Sequence, residues 1–290
     1  MKTRFIAAES SLISSLRCGG ILERLFAPYV LSDVLRLKED YPDEKIRIIG
    51  GLTNTLVLSH GVKDIVITSE NMRGLTVEGS VIKAFAGEKL SNVAKTARTY
   101  GLSGMERLSG IPGTVGGAVM GNAGSFGESI SDLFIGAETV DLDKGKTEFI
   151  PAEEIAFGYR YCNLRKHKDF IYRAWFGLTK GRYETIAALT EKAREDRLST
   201  QPKYPSLGCV FKKYGNESAG WYIEQAGLKG YRYGGMEISD VHANFIVNRG
   251  GGTPEEYLYL VKLAERKVYE TFGIKLIREI KVLGEQEDNR

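Results

Sequence analysis

Apolar residues change their spacing several times along this chain, and each change predicts an element. Ile46–Ile49 and Ile65–Thr68 are short, mostly apolar runs of the kind that form buried strands. Leu75 to Ala86 alternates apolar and polar positions on both sides of Glu78-Gly79-Ser80, which predicts a hairpin. The period then lengthens to that of a helix, with Leu90, Val93, Ala94, Ala97 and Tyr100 on one face and Gly101 as the stop. Strands are expected around Ala137–Leu142 and Phe170–Gly177, then a helix over Tyr183–Leu198 with Ile186, Leu189 and Ala193 inward. The last third reads strand (Cys209–Lys213), helix (Ala219–Ala226), strand (Asn244–Asn248), helix and final strand. That last helix is the best marked: Thr253 is an N-cap, Pro254 takes the first helical position and Glu256 completes a capping box. Leu258, Val261, Val268 and Phe272 form its apolar face, and Gly273 ends it. The final strand is expected over Ile274–Leu283, with Ile274, Leu276, Ile280 and Val282 on one face. The class is α+β, with a domain boundary just before the Tyr183 helix, near Lys180-Gly181.

Between the Leu90 helix and the Ala137 strand the periodicity stops. Gly110 to Gly127 reads GIPGTVGGAVMGNAGSFG, with seven glycines in eighteen residues. A flexible linker would carry Ser, Lys or Glu, whereas this run carries Ile111, Val115, Val119, Met120 and Phe126. The run therefore reads as a buried, ordered loop whose backbone N–H groups face a ligand, most plausibly a phosphate. No Gly here precedes Lys-Ser or Lys-Thr, and G-x-G-x-x-G occurs nowhere, so neither a nucleoside-triphosphate loop nor a Rossmann fingerprint fits. A second small-residue element, IGGLTNTL at Ile49–Leu56, follows a predicted strand and carries Thr53, Asn54 and Thr55. By itself it is as consistent with a tight turn. Two such loops together suit a large ligand with two polar ends, such as a dinucleotide.

Composition removes several classes. The net charge of +3 is too small for a nucleic-acid protein and no Lys/Arg block stands out. Cys18, Cys162 and Cys209 are widely spaced, and His60, His167 and His242 form no ligand-spaced set, so no metal site is expected. Such cysteine usage suits a reducing cytoplasm. Glu9 and a string of serines interrupt what would be a signal peptide, and no apolar run reaches the ~18 residues of a membrane span.

Cys209 enters a strand in PSLGCVFKK, with Phe211 and Lys213 expected on the same face. It reads either as a buried core thiol or as a general acid, since a thiol of pKa about 8.5 is protonated at neutral pH yet far more acidic than a hydroxyl. Glu279 is either a solvated strand residue or a site carboxyl. Arg160, in FGYRYC, is either stacked on the surface or a fork of donors for a carboxylate or enolate oxygen. His242, in SDVHANF, is either a satisfied core histidine or a site residue, and Lys212 and Lys213 either a solvated pair or a phosphate clamp. The residues alone support a cofactor-binding α+β enzyme of unspecified chemistry.

Taken in order, IGGLTNTLV, SGIPGTVGGAV-x-x-NAG, YR, QPKYPS-x-G-C-x-FK, EQAGLKG, S-x-x-HANFIVN and FG-x-x-L-x-x-EI resemble the motifs of the UDP-N-acetylenolpyruvoylglucosamine reductase family, in its shorter second type, from about Ser15 to Gly284. The resemblance implies a two-subdomain FAD-binding fold of the vanillyl-alcohol-oxidase/PCMH type and a C-terminal α+β substrate subdomain. The expected divisions are 1–72 joined by 277–290, then 73–181, then 182–276. FAD, bound non-covalently, is expected to lay its pyrophosphate against Gly50, Gly51, Thr53 and Asn54, flanked by Ile49, Leu52, Thr55 and Leu56. Ser109, Gly110, Ile111, Gly113, Thr114, Gly116, Gly117, Asn122 and Gly124 are expected to line the flavin and its tail. Tyr159, Arg197, Lys212, Lys213 and His242 are the implied substrate contacts.

The implied reaction has two halves: NADPH reduces the flavin and leaves, and the enolpyruvyl ether of UDP-N-acetylglucosamine is then reduced to UDP-N-acetylmuramate, a peptidoglycan precursor. Cys209 matches the family's proton donor, and Arg160 and Glu279 match the residues that stabilise the enolate. An anionic carboxylate does not stabilise an enolate, so Glu279 is expected to hold a proton, its pKa raised. The alternatives are another FAD-dependent oxidase or dehydrogenase of this fold, or a non-catalytic flavoprotein. A cytoplasmic monomer without nucleic-acid or membrane partners is expected. The chain departs from the family pattern at Leu52, where a third glycine is usual, at Lys213-Tyr214, and at Cys162, which stands for a serine.

Overall fold

The computed structural model describes residues 3–164 and 169–284; His167 and the last six residues of the expected 277–290 segment lie outside these. The chain divides into two compact units. One is built mainly from Leu25–Gly51 and Asp64–Arg197, the other from Ile6–Arg24, Leu52–Lys63 and the chain from Leu198 onward.

The first unit contains an antiparallel five-stranded sheet in the order Lys146–Pro151, Phe134–Asp141, Asp169–Gly177, Val81–Phe85, Leu75–Glu78. The expected hairpin is present, with Gly79 at its tip at φ +62°. Helices Leu90–Thr99 and Val115–Gly121 bury Leu90, Val93, Val115 and Val119 in one core with Ile82, Ala137, Ala174 and Phe176 of the sheet. A separate core forms where helix Leu31–Asp40 sets Val34 and Leu37 against Ile65, Ile67, Val140 and Phe170. There Ile46–Ile49 pairs in parallel with Val62–Thr68 in the register Ile46↔Ile65 to Ile49↔Thr68.

The second unit has a four-stranded antiparallel sheet in the order Ser206–Cys209, Phe245–Asn248, Met236–Ile238, Arg232–Tyr233. Helices Ala219–Gln225 and Pro254–Phe272 share its core, which also takes in Leu16, Cys18 and Leu56. The chain end returns as Lys281–Leu283, in parallel register with Thr55–Val57.

Several expectations need correction. The glycine run is not all loop: Val115–Gly121 is helical. Val115, Ala118 and Val119 recur at helical spacing and are buried, and Thr114 caps the start with its hydroxyl on the Gly117 N–H. Tyr100 and Leu189 do not face inward and are 63% and 45% exposed, because each lies at the edge of a stripe already filled by its neighbours. Lys213 does not share a face with Phe211. The strand ends at Cys209, so alternation no longer applies beyond it. The final strand is confined to Lys281–Leu283, with only an isolated bridge between Phe211 and Arg278 before it. The long C-terminal helix buries Tyr257, Leu260, Val261, Ala264 and Val268, while Leu258 and Phe272 flank that stripe. The division between units falls at Arg197/Leu198 and not near Gly181, since Ile186 packs on Gly181 and Arg197 on Gly110.

The cap expected for the long C-terminal helix is formed. Thr253 accepts from the Glu256 N–H at 3.2 Å, and the Glu256 carboxylate accepts from the N–H groups of Thr253 and Gly235 at 3.0 and 3.1 Å. Thr253→Ala is expected to destabilise the protein by about 1 kcal/mol. A urea midpoint indistinguishable from that of the parent would show that the box is not used.

Candidate active site

In the first unit, two segments far apart in sequence come within van der Waals contact through glycine. A methyl group on Gly50 would stand 3.2 Å from Thr114 Oγ1 and 3.4 Å from Gly117 Cα. One on Gly51 would stand 3.1 Å from Glu70 Oε1. Gly116 is packed as tightly on Ala86, at 3.0 Å. The N–H groups of Val115 and Gly116 donate to the carbonyls of Glu88 and Ala86, both at 2.8 Å, and that of Gly117 to Thr114 Oγ1 at 3.3 Å. These amides are spent within the fold. The run therefore offers a ligand a side-chain-free edge along Gly50, Gly51, Gly113 and Gly117, which fits the flat, extended body of a dinucleotide.

Asn122 holds the end of this region. It adopts a left-handed conformation (φ 40°), its side-chain N–H donates to Gly158 O at 3.0 Å, and its Oδ1 accepts from the Ser131 N–H at 3.0 Å. That bond reaches the Phe157–Gly158/Tyr161–Cys162 hairpin, whose turn presents Arg160. Arg160 is itself left-handed at φ 53°, a conformation that costs a non-glycine residue roughly 1–2 kcal/mol. It is held there: Nη2 donates to Gly124 O at 2.8 Å, and the guanidinium carbon lies 5.2 Å from the Tyr159 ring centroid. A strained arginine fixed by several contacts is the mark of a position kept for its side chain. Arg197 is fastened one residue along, its Nη2 donating to Ser125 Oγ at 3.0 Å while its stem covers Gly110. Ser109 Oγ bonds Glu106 O at 2.7 Å, Ile49 and Cys162 are buried, and Ile111 packs on the core.

The second unit brings Cys209 and Glu279 together. Gly208, at φ 78°, makes a bulge where Ser206 pairs with Val247 but Cys209 pairs with Phe245, and Cys209 emerges half-buried. The next residue, Val210, donates its N–H to Asn244 O and accepts from the Glu279 N–H, each at 2.8 Å. The Lys212 N–H then donates to Ile277 O at 2.8 Å. Glu279 is fixed on its other side by Asn54, whose Nδ2 donates to Glu279 O at 3.3 Å. Asn54, expected at the cofactor, thus anchors a catalytic candidate.

Asn244 was not singled out by the sequence. Its buried side chain accepts from the Phe211 N–H at 2.9 Å and donates to Phe211 O at 2.8 Å, replacing a missing strand neighbour. A lone Asn at the mouth of the apolar FIV run was the available signal. His242 supports the same turn: Nδ1 accepts from the Asn244 N–H at 3.2 Å, and the ring lies against Phe245 and Gly220. Lys213 is exposed and Lys212 half-buried.

Leu52 has a physical explanation. It is left-handed (φ 47°), where glycine is the unstrained choice, yet its side chain is 2% exposed. Burying a leucine contributes roughly 1.5–3 kcal/mol, which exceeds the roughly 1–2 kcal/mol of strain. Its carbonyl also accepts from the Ser15 N–H at 3.3 Å. Leu56 lies in the core, between Thr55 and Val57 of the parallel pair.

A family profile described as the C-terminal domain of UDP-N-acetylenolpyruvoylglucosamine reductase matches residues 201–283, and an FAD binding domain profile matches residues 30–150. The reductase of that name from Caldanaerobacter subterraneus subsp. tengcongensis is 37% identical over 94% of this chain and 91% of its own. The chain belongs to this reductase family. The corresponding protein of Caldicellulosiruptor bescii is 39% identical over 94% of this chain and 88% of its own. The crystal structure of the Thermus caldophilus reductase superposes with a TM-score of 0.85 at 32% identity, covering 96% of this chain and 98% of that one. The fold is thus the α+β FAD-binding type with a C-terminal substrate subdomain, and the protein is an FAD-dependent oxidoreductase of peptidoglycan precursor synthesis.

Gly50→Ala, which sets a methyl group against Thr114 and Gly117, is expected to leave the fold intact and weaken FAD retention by about tenfold. Full flavin occupancy after dilution would argue against the glycine edge as the cofactor's seat. Burial holds the His242 pKa below its ordinary 6.5, with Lys229 acting in the same direction. Between the lowered folded value and 6.5 the unfolded chain binds the extra proton, so this contribution to stability is present above about 6.5 and is lost as pH falls from there through the lowered folded value. His242→Gln is expected to flatten that acid limb in urea titrations from about pH 5.5 to 7.5. An unchanged limb would mean that other groups set it.

Proposed function

We propose that Cys209 is the proton donor, and Arg160 and Glu279 the enolate-stabilising pair, in the reduction of UDP-N-acetylglucosamine enolpyruvate to UDP-N-acetylmuramate. The observation that carries this reading is the hydrogen bond from the Glu279 N–H to Val210 O, beside Cys209, with Asn54 bonding Glu279 from its other side. When bound, FAD supplies to the substrate's methylene carbon a hydride that it has drawn from NADPH. Hydride addition leaves an electron pair on the adjacent carbon, conjugated with the carboxylate. Cys209 delivers the S–H proton to that carbon, so that hydride and proton together saturate the double bond, and solvent returns a proton to the sulfur.

Arg160 offers planar guanidinium donors to the oxygens on which the charge develops. Its turn geometry is set before substrate arrives, so no conformational search is needed at the moment of reaction. Glu279 acts with a shared proton, since two negative charges at one oxygen would repel. Arg197, tied to Ser125, is suited to the substrate's anionic groups, as are Lys212 and Lys213. Tyr159, 48% exposed beside Arg160, is available to the same ligand. Gly50, Gly51, Gly113 and Gly117 hold the cofactor non-covalently. No helix among the described residues is long and apolar enough to cross a membrane. We read the protein as a cytoplasmic monomer acting on soluble substrates.

Cys209→Ala is expected to leave flavin reduction by NADPH intact while turnover of the enolpyruvyl substrate falls by ~10²–10⁴-fold, the usual contribution of a general acid. Stopped-flow absorbance of the flavin separates the two halves. Cys209→Ser is expected to retain partial activity. A loss for Cys209→Ala well below tenfold would remove Cys209 from the donor role.

A further inference from the structure

Arg107 projects from a fixed base in the first unit. Met105 and Leu108, close to it on either side, are buried in the core. The buried carboxylate of Glu106 accepts from Ser103 Oγ at 2.6 Å and from the Gly104 N–H at 2.7 Å. The Arg107 side chain is directed from this base onto the hairpin Gly124–Ser129. Its Nη1 donates to Phe126 O at 2.5 Å, and its Nε lies 3.4 Å from Glu128 Oε1. One guanidinium therefore meets both the turn and the returning arm. Glu128 Oε2 is buried with no hydrogen-bond partner among the described residues. Burial pushes the Glu128 pKa up, and Arg107 opposes that by favouring the charged carboxylate.

The hairpin has need of such a hold. Its ladder consists of the pairs Ser125↔Glu128 and Gly124↔Ser129, and a ribbon this short is not stable alone. The two residues of its turn, Phe126 and Gly127, both have positive φ, at 52° and 88°. Two-residue hairpin turns of that kind favour Asn-Gly, and a bulky side chain at the first position is a strained choice. Yet this hairpin carries the anchor points of two cations. Gly124 O accepts from Arg160 Nη2 at 2.8 Å, and Ser125 Oγ accepts from Arg197 Nη2 at 3.0 Å.

We propose that Arg107 is a positioning residue for Arg160 and Arg197. By clasping Phe126 O and Glu128 it keeps the strained turn closed, and the closed turn sets both arginines for the anionic groups of the substrate. The inference rests on the reading of Arg160 and Arg197 as site residues; Arg107 acts through the hairpin and not on the ligand. An exposed ion pair contributes little to global stability. Local opening of a short hairpin costs far less than unfolding, so a charge-assisted bond to the turn carbonyl shifts that equilibrium measurably.

Arg107→Met keeps the length of the stem, removes the donors and opens no cavity, because the side chain is exposed. Hydrogen-exchange mass spectrometry on the flavin-loaded protein reads the hairpin without reference to catalysis. Exchange across Gly124–Ser129 is expected to quicken by about tenfold in Arg107→Met, with the sheet strands unchanged. Binding of UDP-N-acetylmuramate, followed by the absorbance of the oxidised flavin, is expected to weaken by about fivefold. In a protein that already carries Arg160→Gln and Arg197→Gln, adding Arg107→Met is expected to weaken binding no further, a result that a merely structural residue would not give. Exchange that coincides in parent and Arg107→Met would overturn the proposal. So would faster exchange with unchanged binding, or a full additional loss in the protein lacking both arginines. Parental binding in Arg160→Gln/Arg197→Gln would instead overturn the reading of the two arginines as site residues, and the positioning role with it, while faster exchange would still show the clasp.

Discussion

Both backbone polar groups of Val210 are committed, its N–H to Asn244 and its carbonyl to Glu279. The placement of Cys209 and Glu279 in the second unit depends on this one residue. Cys209 precedes it on the bulge, and Glu279 comes from a segment that is otherwise hardly a strand at all. Without a regular ladder from residue 274 to 280, the chain needs local fastenings. They are the Lys212–Ile277 and Glu279–Val210 hydrogen bonds, with Asn54 on the Glu279 carbonyl. Each exchanges a water contact for a protein contact and contributes only about 1 kcal/mol net, yet together they leave Glu279 little freedom of position. The Asn244 side chain completes the arrangement by occupying both backbone groups of Phe211, where a strand neighbour is missing.

The first unit solves a different problem. A flat ligand needs backbone without side chains, and Gly50, Gly51, Gly113 and Gly117 provide it. The surrounding turns are then so tight that residues other than glycine are forced into left-handed conformations at Asn122, Phe126 and Arg160. Asn122 and Arg160 are each held by hydrogen bonds to backbone or by ring contacts, which is what allows the strain to persist. Gly124 and Ser125 bind two arginines from separate elements, so the short hairpin after the glycine helix sets the positions of Arg160 and Arg197 together. A shift of this hairpin would move both cations at once.

Much of this was legible in the sequence because it rests on periodicity and on residues with one dominant use. The Leu75–Ala86 hairpin, the Leu90 helix and the Thr253–Glu256 capping box follow from spacing and cap chemistry alone. Arg160, Cys209 and Glu279 are proposed through ordered motifs, and by themselves they look ordinary. Cues that compete misled. Seven glycines concealed the Val115–Gly121 helix, whose buried Val115, Ala118 and Val119 carry the helical period, because glycine's low helix propensity is overridden by packing on Ala86. Alternation failed after Cys209, since the bulge at Gly208 and the end of the strand break the period of two on which that inference depends. Asn54, Ser125 and Asn244 bond partners distant in sequence, and no local pattern announces such bonds.

A thiol serves as a proton donor only while it holds its proton at working pH. Burial holds the Cys18 thiol and the Tyr257 phenol in their protonated forms, far from titration near neutral pH. Cys209 is the half-buried one of the three, which suits the proton exchange with solvent that its proposed role requires. Burial as deep as that of Cys18 raises a thiol's pKa and makes it a poor donor to carbon. The graded burial of these three groups is in keeping with the donor role proposed for Cys209, the residue on the bulge. The bulge at Gly208 is what leaves that residue half-buried at the end of its strand.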